Sequence, residues 1–247
     1  MELSLHNILT FALASFLTGF FKTSLGGGIG MVVTPLLTLL VSARLAMGII
    51  SPLMVLGDFL VVYFFWGKWD GRFILAMLPS MAVGTVLGTM LIAYLSNAGI
   101  RYLIGSFVLL YSAHHLIRLV GKRDFEYVPP KRSVGYLVGL LAGFSTSAAH
   151  AGGIITSPYL VSSGLRKEAV LATGFGLYAL TNWLKLGTYL WVGLVNGQII
   201  LWDVYTAPLL ALGAYLGYQV HKAISTRAFN SAILVIAILS ALKLLLF

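Results

Sequence analysis

Apolar residues fall along this chain in long blocks rather than in alternation. Ala46–Trp66, Phe73–Leu95, Tyr102–Leu119, Ala169–Val195 and Ile199–Val220 each carry at most one charged residue. Helical blocks of about 20 residues match the thickness of a bilayer core, whereas barrel strands would alternate over about 10. Lipid offers no hydrogen bonds to the backbone, so each block is predicted to satisfy its own N–H and C=O groups as a helix. The first block, Leu5–Phe21, has no basic residue before it and no small-x-small site before Lys22. It is read as part of the folded domain rather than as a leader.

Ten segments are expected, at about 5–22, 29–41, 45–66, 73–95, 100–119, 134–149, 152–163, 168–192, 199–221 and 229–247. The first five recur in the last five. A displacement of 123 residues sets Gly30 on Gly153, Thr34 on Ser157, Pro35 on Pro158 and Ala46 on Ala169. A displacement of 129 sets Pro79, Gly84 and Gly88 on Pro208, Gly213 and Gly217. Ordered matches of glycine and proline signal an internal repeat. Its halves are residues 1–121 and 134–247, joined by a polar linker at 122–133. An odd number of segments per half turns the second half upside down, the inverted-repeat plan of many secondary transporters. Lys68, Arg72, Arg118, Lys122, Arg123, Lys131, Arg132, Arg166, Lys167, Lys222 and Arg227 then share one face, against Arg44, Arg101 and Lys243 on the other. The richer face is cytoplasmic, which places both termini outside. The expected fold is an all-α polytopic membrane protein with broken or re-entrant helices at its centre.

Those breaks are "GGIGMVVTP" at Gly27–Pro35 and "HAGGIITSP" at His150–Pro158. The segments that follow are too short to cross about 30 Å of hydrocarbon. Thr34-Pro35 and Ser157-Pro158 read as N-cap and first helical residue, or else as kinks in helices begun at the glycines. Either way, N–H groups freed around Gly28, Gly30, Gly152 and Gly153 carry the positive end of a helix dipole and suit an anion near the midplane. The competing reading is that these glycines only permit close packing. Packing is the expected role of Gly84/Gly88, Gly213/Gly217 and Gly135/Gly139/Gly143.

Composition narrows the function. The chain is 59% hydrophobic and 9% charged, against about 25% charged in soluble proteins. Its net charge of +9 reports orientation rather than a nucleic-acid partner. The absence of cysteine excludes disulfides, zinc–thiolate sites and iron–sulfur clusters. No polar region is large enough to house a catalytic domain, so no enzyme and no cofactor is expected. His114 and His115 are adjacent and diverge on a helix, which argues against a metal or haem pair.

Three ionisable residues are expected at membrane depth: Lys22, Asp58 and Lys185. Such residues are functional by default. Tyr178, Asn182, Lys185 and Tyr189 recur at spacings of four, three and four, which lines them along one helix face. The first half has Val62 where the second has Lys185, so the lysine is expected to serve substrate, with snorkelling as the alternative. Lys22 reads as a site cation or a hairpin anchor. Asp58 reads as a counter-ion to Lys185, a proton carrier, or half of a structural ion pair. His150 reads as an anion donor and titrating group, or as a residue bonded within its own turn.

With these residues in view, the sequence resembles the TauE/SafE family of sulfite exporters along nearly its whole length. The resemblance rests on "GGGIGMVVTPLL", on "WDGR" at Trp69–Arg72, and on "TNWLKLGTY" after "LRKEAVLAT". The second break, "AHAGG", departs from the longer glycine run usual in the family. The resemblance implies transport of sulfite or of an organosulfonate such as sulfoacetate. Expelling an anion from a negative-inside cell gains about 2.3 kcal/mol per charge per 100 mV, so export needs no coupled ion. The expected protein is a secondary exporter of a small sulfur-containing anion in a bacterial inner membrane. Its expected partners are that anion and lipid. A passive anion channel, a proton-coupled uptake permease and a homodimeric assembly stay open.

Overall fold

The computed structural model describes residues 5–25, 30–121, 132–223 and 226–246. Among these residues the chain forms ten α-helices and no strand. They are α1 (Leu5–Leu25), α2 (Gly30–Thr38), α3 (Ala43–Phe64), α4 (Gly71–Tyr94), α5 (Asn97–Gly121), α6 (Arg132–Ala149), α7 (Gly153–Ser162), α8 (Lys167–Trp191), α9 (Gly197–Ala223) and α10 (Thr226–Leu246). Each matches an expected segment to within a few residues. Gly28 and most of the 122–133 linker lie outside the described residues.

Three spans, Ala43–Tyr63, Gly71–Tyr94 and Gly197–Val220, are long and apolar enough to cross a membrane. The α3 span is 72% buried and those of α4 and α9 are 33% buried, so α3 is interior and the other two are peripheral. The exposed faces of α4 and α9 carry Leu75, Val83, Tyr205 and Leu212, side chains suited to lipid. A central α3–α8 pair is flanked by two tightly packed pairs, α4 with α6 and α1 with α9.

Glycines set how close those flanking pairs come. A Cβ added at Gly84 would stand 2.0 Å from the Leu140 carbonyl oxygen, and one at Gly143 would stand 2.0 Å from that of Met81. The other pair repeats the arrangement, with Gly213 at 2.2 Å from the Phe16 carbonyl oxygen and Gly19 at 2.0 Å from that of Leu210. Backbones this close leave no room for a methyl group and gain van der Waals contact that lipid cannot supply. Gly143→Ala is expected to force α4 and α6 apart and cost about 1–3 kcal/mol, read as a lowered melting temperature in detergent. Gly187→Ala, where a Cβ meets nothing within 4 Å, is the matched control and is expected to leave melting unchanged or raise it.

The two ends of the bundle hold different contacts. Asp70 caps α4, accepting from the Arg72 backbone N–H at 2.9 Å and from the Arg72 guanidinium at 2.8 Å. The Arg72 side chain holds the Asp70 carboxyl below the usual carboxylate range. The Asp70 backbone N–H donates to Thr173 Oγ1 at 2.9 Å, and Lys68 pairs with Glu168 at 2.8 Å. "WDGR" is therefore the turn that docks the α3–α4 connection on the start of α8. At the other end Arg44 donates to the Leu95 carbonyl at 2.8 Å and Arg101 to that of Leu244 at 3.2 Å.

At 9 and 10 residues, α2 and α7 are about 14–15 Å long, half a bilayer core. They begin at Gly30 and Gly153, which corrects the reading of Thr34-Pro35 and Ser157-Pro158 as helix starts. Pro35 and Pro158 lie inside the helices, as in the alternative reading. Each proline forfeits one hydrogen bond, to the carbonyl four residues earlier. Close burial of Val32, Val33 and Leu37 around one, and of Thr156, Tyr159 and Leu160 around the other, holds the helix through the defect.

Candidate functional site

The short helices bring the two glycine breaks together. A Cβ added at Gly30, the first residue of α2, would stand 2.1 Å from the His150 carbonyl oxygen and 2.2 Å from its Cβ. His150 ends α6 with a φ of 55°, a left-handed conformation uncommon outside glycine, and Ala151 N–H reaches back to the Ser145 carbonyl at 3.2 Å. The chain then turns directly into α7. The start of α7, at Gly152 and Gly153, faces a cavity enclosed by α1, α3, α6, α7 and α8. Ile154, Ile155 and Thr156 N–H donate back to the Ala151 and Gly152 carbonyls, so Gly152 and Gly153 are the residues whose N–H groups can serve the cavity.

Four ionisable or amide side chains stand in line on the opposite wall. Lys22 Nζ donates to Asp58 Oδ1 at 2.6 Å and to the Met54 carbonyl at 2.7 Å. Asn182 Nδ2 donates to Asp58 Oδ2 at 2.7 Å, and Asn182 Oδ1 accepts from Lys185 Nζ at 2.9 Å. Asp58 therefore pairs with Lys22, the ion-pair alternative among its readings, and its contact with Lys185 runs through Asn182. Lys22 is 4% exposed and Lys185 1%, so neither is a surface anchor or a snorkelling side chain. Lys185 has no carboxylate partner among the described ion pairs, and one of its three N–H donors is used on Asn182.

The remaining expected residues divide between the cavity and its supports. His150 lies on the cavity wall with both ring nitrogens buried and without a hydrogen-bond partner among the described residues. Thr146 and Tyr178 also line it, and the Tyr178 hydroxyl is hydrogen-bonded to that of Thr156. Tyr189 does not reach the lining. Its hydroxyl donates to the Ser147 carbonyl at 2.6 Å, which ties α8 to α6 behind His150. The helical stripe on α8 is thus divided: Tyr178, Asn182 and Lys185 face the cavity, and Tyr189 secures the helix that carries His150.

Beyond Lys22, Asp58, His150 and Lys185, one more buried ionisable residue went unrecognised in the sequence. Asp203 in α9 is fully buried, and neither of its carboxyl oxygens has a hydrogen-bond partner among the described residues. Its signal was present, since it is the lone charge in Ile199–Val220, but its place beside Trp202 near a segment start resembles an interfacial residue.

A bundle of apolar helices, with lysine side chains buried around an interior cavity, defines a membrane protein. The family profile described as sulfite exporter TauE/SafE matches residues 11–244, and the chain belongs to that family. No curated protein and no solved structure matches the chain.

Proposed function

We propose that the protein is a secondary transporter that carries sulfite or an organosulfonate such as sulfoacetate out of the cell, across a bacterial inner membrane. The observation that carries this reading is Lys185. It is a buried lysine with no carboxylate at ion-pair distance among the described residues, on the wall of a cavity that also receives the start of α7. A cation out of water needs an anion, and here the anion is the substrate. Lys185 supplies charge and Asn182 fixes its position. Gly152 and Gly153 donate from the backbone, His150 adds a ring donor, and the Lys22–Asp58 pair anchors Asn182 from α1 and α3. Gly30, at the start of α2, and Gly28, which lies outside the described residues, are assigned the matching role at the other break.

The equivalent glycine contacts of the α4–α6 and α1–α9 pairs support reading the halves as inverted repeats, and the half-length of α2 and α7 supports re-entrant segments. Grouping of Lys68, Arg72, Arg166 and Lys167 at one end supports a cytoplasmic face there, with both termini outside. Alternating access then moves one part of the bundle against the other around the cavity.

Purified protein in vesicles loaded with sulfite tests this. Efflux is expected to saturate with sulfite and to accelerate when the interior is made negative, and Lys185→Met is expected to slow it at least tenfold. Ionic conductance that never saturates would replace the carrier by a channel, and efflux equal to that of empty vesicles would overturn transport of this anion.

A further inference from the structure

We propose that Asp203 is a proton-carrying site of the transport cycle, separate from the anion cavity and joined to it through α3. The proposal rests on the transport reading above. Asp203 is not part of the cavity lining, and neither of its buried oxygens is partnered. An ionised carboxylate taken out of water without a partner is costly, whereas a protonated one is neutral and needs only an acceptor for its O–H.

Helix register brings an acceptor to its level. Between α1 and α9 the Phe11 and Trp202 rings lie 6.0 Å apart and the Ser15 and Thr206 hydroxyls are 2.6 Å apart, which places Asp203 between those two contacts. Between α3 and α9, Gly48 meets the Leu194 carbonyl and the Ile199 side chain. One turn along α3 from Gly48 is Ser51, and one turn along α9 from Ile199 is Asp203. The Ser51 hydroxyl is fully buried and has no hydrogen-bond partner among the described residues. Two adjoining helices, α3 and α9, thus each place an unsatisfied buried oxygen at one level. One turn further along α3 is Met54, whose carbonyl accepts from Lys22. Unsatisfied buried oxygens are uncommon, so two at one level call for a function.

Other charges on these helices are engaged elsewhere or distant. On α1, Lys22 is bound to Asp58 and His6 is exposed near the helix start. On α3, Asp58 is bound to Lys22, Arg44 donates to the Leu95 carbonyl, and Tyr63 is exposed. On α9, Tyr205, Tyr215 and Tyr218 are exposed, and Lys222 lies over the Tyr218 ring. The exchange itself is simple: the Asp203 O–H bond breaks, its electron pair stays on the carboxylate, and the proton passes to water admitted in another conformation. Sliding of α1 against α3 is what would link that exchange to the Lys22–Asp58 pair.

Infrared spectroscopy of the full-length protein at pH 7 tests the proton directly. The C=O stretch of a protonated carboxyl is expected in wild type and absent in Asp203→Asn. In vesicles with the membrane potential clamped, one pH unit of gradient is expected to change wild-type sulfite accumulation by about tenfold per coupled proton. It is expected to change that of Asp203→Asn only by the speciation of sulfite, which both variants share. A wild-type spectrum without the band, or a band unchanged in Asp203→Asn, would overturn the proposal. So would equal pH responses in the two proteins. If the band is missing and sodium, but not choline, raises the wild-type melting temperature through Asp203, the proton gives way to sodium. Should wild type move no sulfite at all, the transport reading falls, while the infrared band still decides whether Asp203 holds a proton. If only the variant is inactive, that comparison decides alone.

Discussion

Asp58→Leu is expected to be the most damaging single substitution in the bundle, at about 3–5 kcal/mol, because it strands a buried charge. Asp58 accepts from Lys22 on α1 and from Asn182 on α8 while itself belonging to α3. Its removal leaves the Lys22 ammonium with only the Met54 carbonyl and leaves Asn182 Nδ2 without its acceptor. The double variant Lys22→Met/Asp58→Leu removes both charges and is expected to be more stable than Asp58→Leu alone. Melting temperatures of wild type, both single variants and the double variant in one detergent form the test. A double variant that melts below Asp58→Leu would show that Lys22 is held by something other than Asp58.

Lys185→Met is expected to separate binding from stability. The substitution keeps the length of the side chain and removes its charge, so the main structural loss is one hydrogen bond to Asn182, worth about 1 kcal/mol. A charge-assisted hydrogen bond to a buried anion contributes about 1.5–3 kcal/mol, so sulfite affinity is expected to fall by about 10–150-fold. The measurement is the rise in melting temperature on adding sulfite, in wild type and variant. Tyr189→Phe is the contrast. It removes only the bond to the Ser147 carbonyl, so it is expected to lower melting slightly while keeping the response to sulfite. Full stabilisation of Lys185→Met by sulfite would remove Lys185 from the site.

The helices were legible because a segment surrounded by lipid must solve its own hydrogen bonding, and that demand writes long apolar blocks into the chain. The glycine and proline breaks were legible for the converse reason, since residues that spoil a helix stand out against such blocks. Whether Pro35 and Pro158 start their helices was not legible. That depended on whether side chains such as Val33 and Tyr159 would be buried tightly enough to carry the helix past a missing N–H. The α8 stripe had the right spacing, yet spacing fixes only a direction on one helix. Neighbouring helices assigned Lys185 and Asn182 to the cavity and Tyr189 to the Ser147 carbonyl. The partner of Asp58 was beyond reach for the same reason, because Lys22, Asn182 and Lys185 are all plausible from the sequence and only the crossing of α1, α3 and α8 selects among them.

By itself the sequence determined the membrane class, the ten segments, the two breaks and most of the buried charges, all of which follow from the cost of placing polar groups in lipid. The tertiary structure alone decided that His150 meets Gly30, that Lys22 pairs with Asp58, and that among the described residues Lys185 has no carboxylate and buried Asp203 no partner. Those outcomes are distances between segments far apart in the chain. Such distances are set by close packing at Gly19, Gly84, Gly143 and Gly213; glycine spacing marks a packing face, but no local pattern names the helix that the face meets.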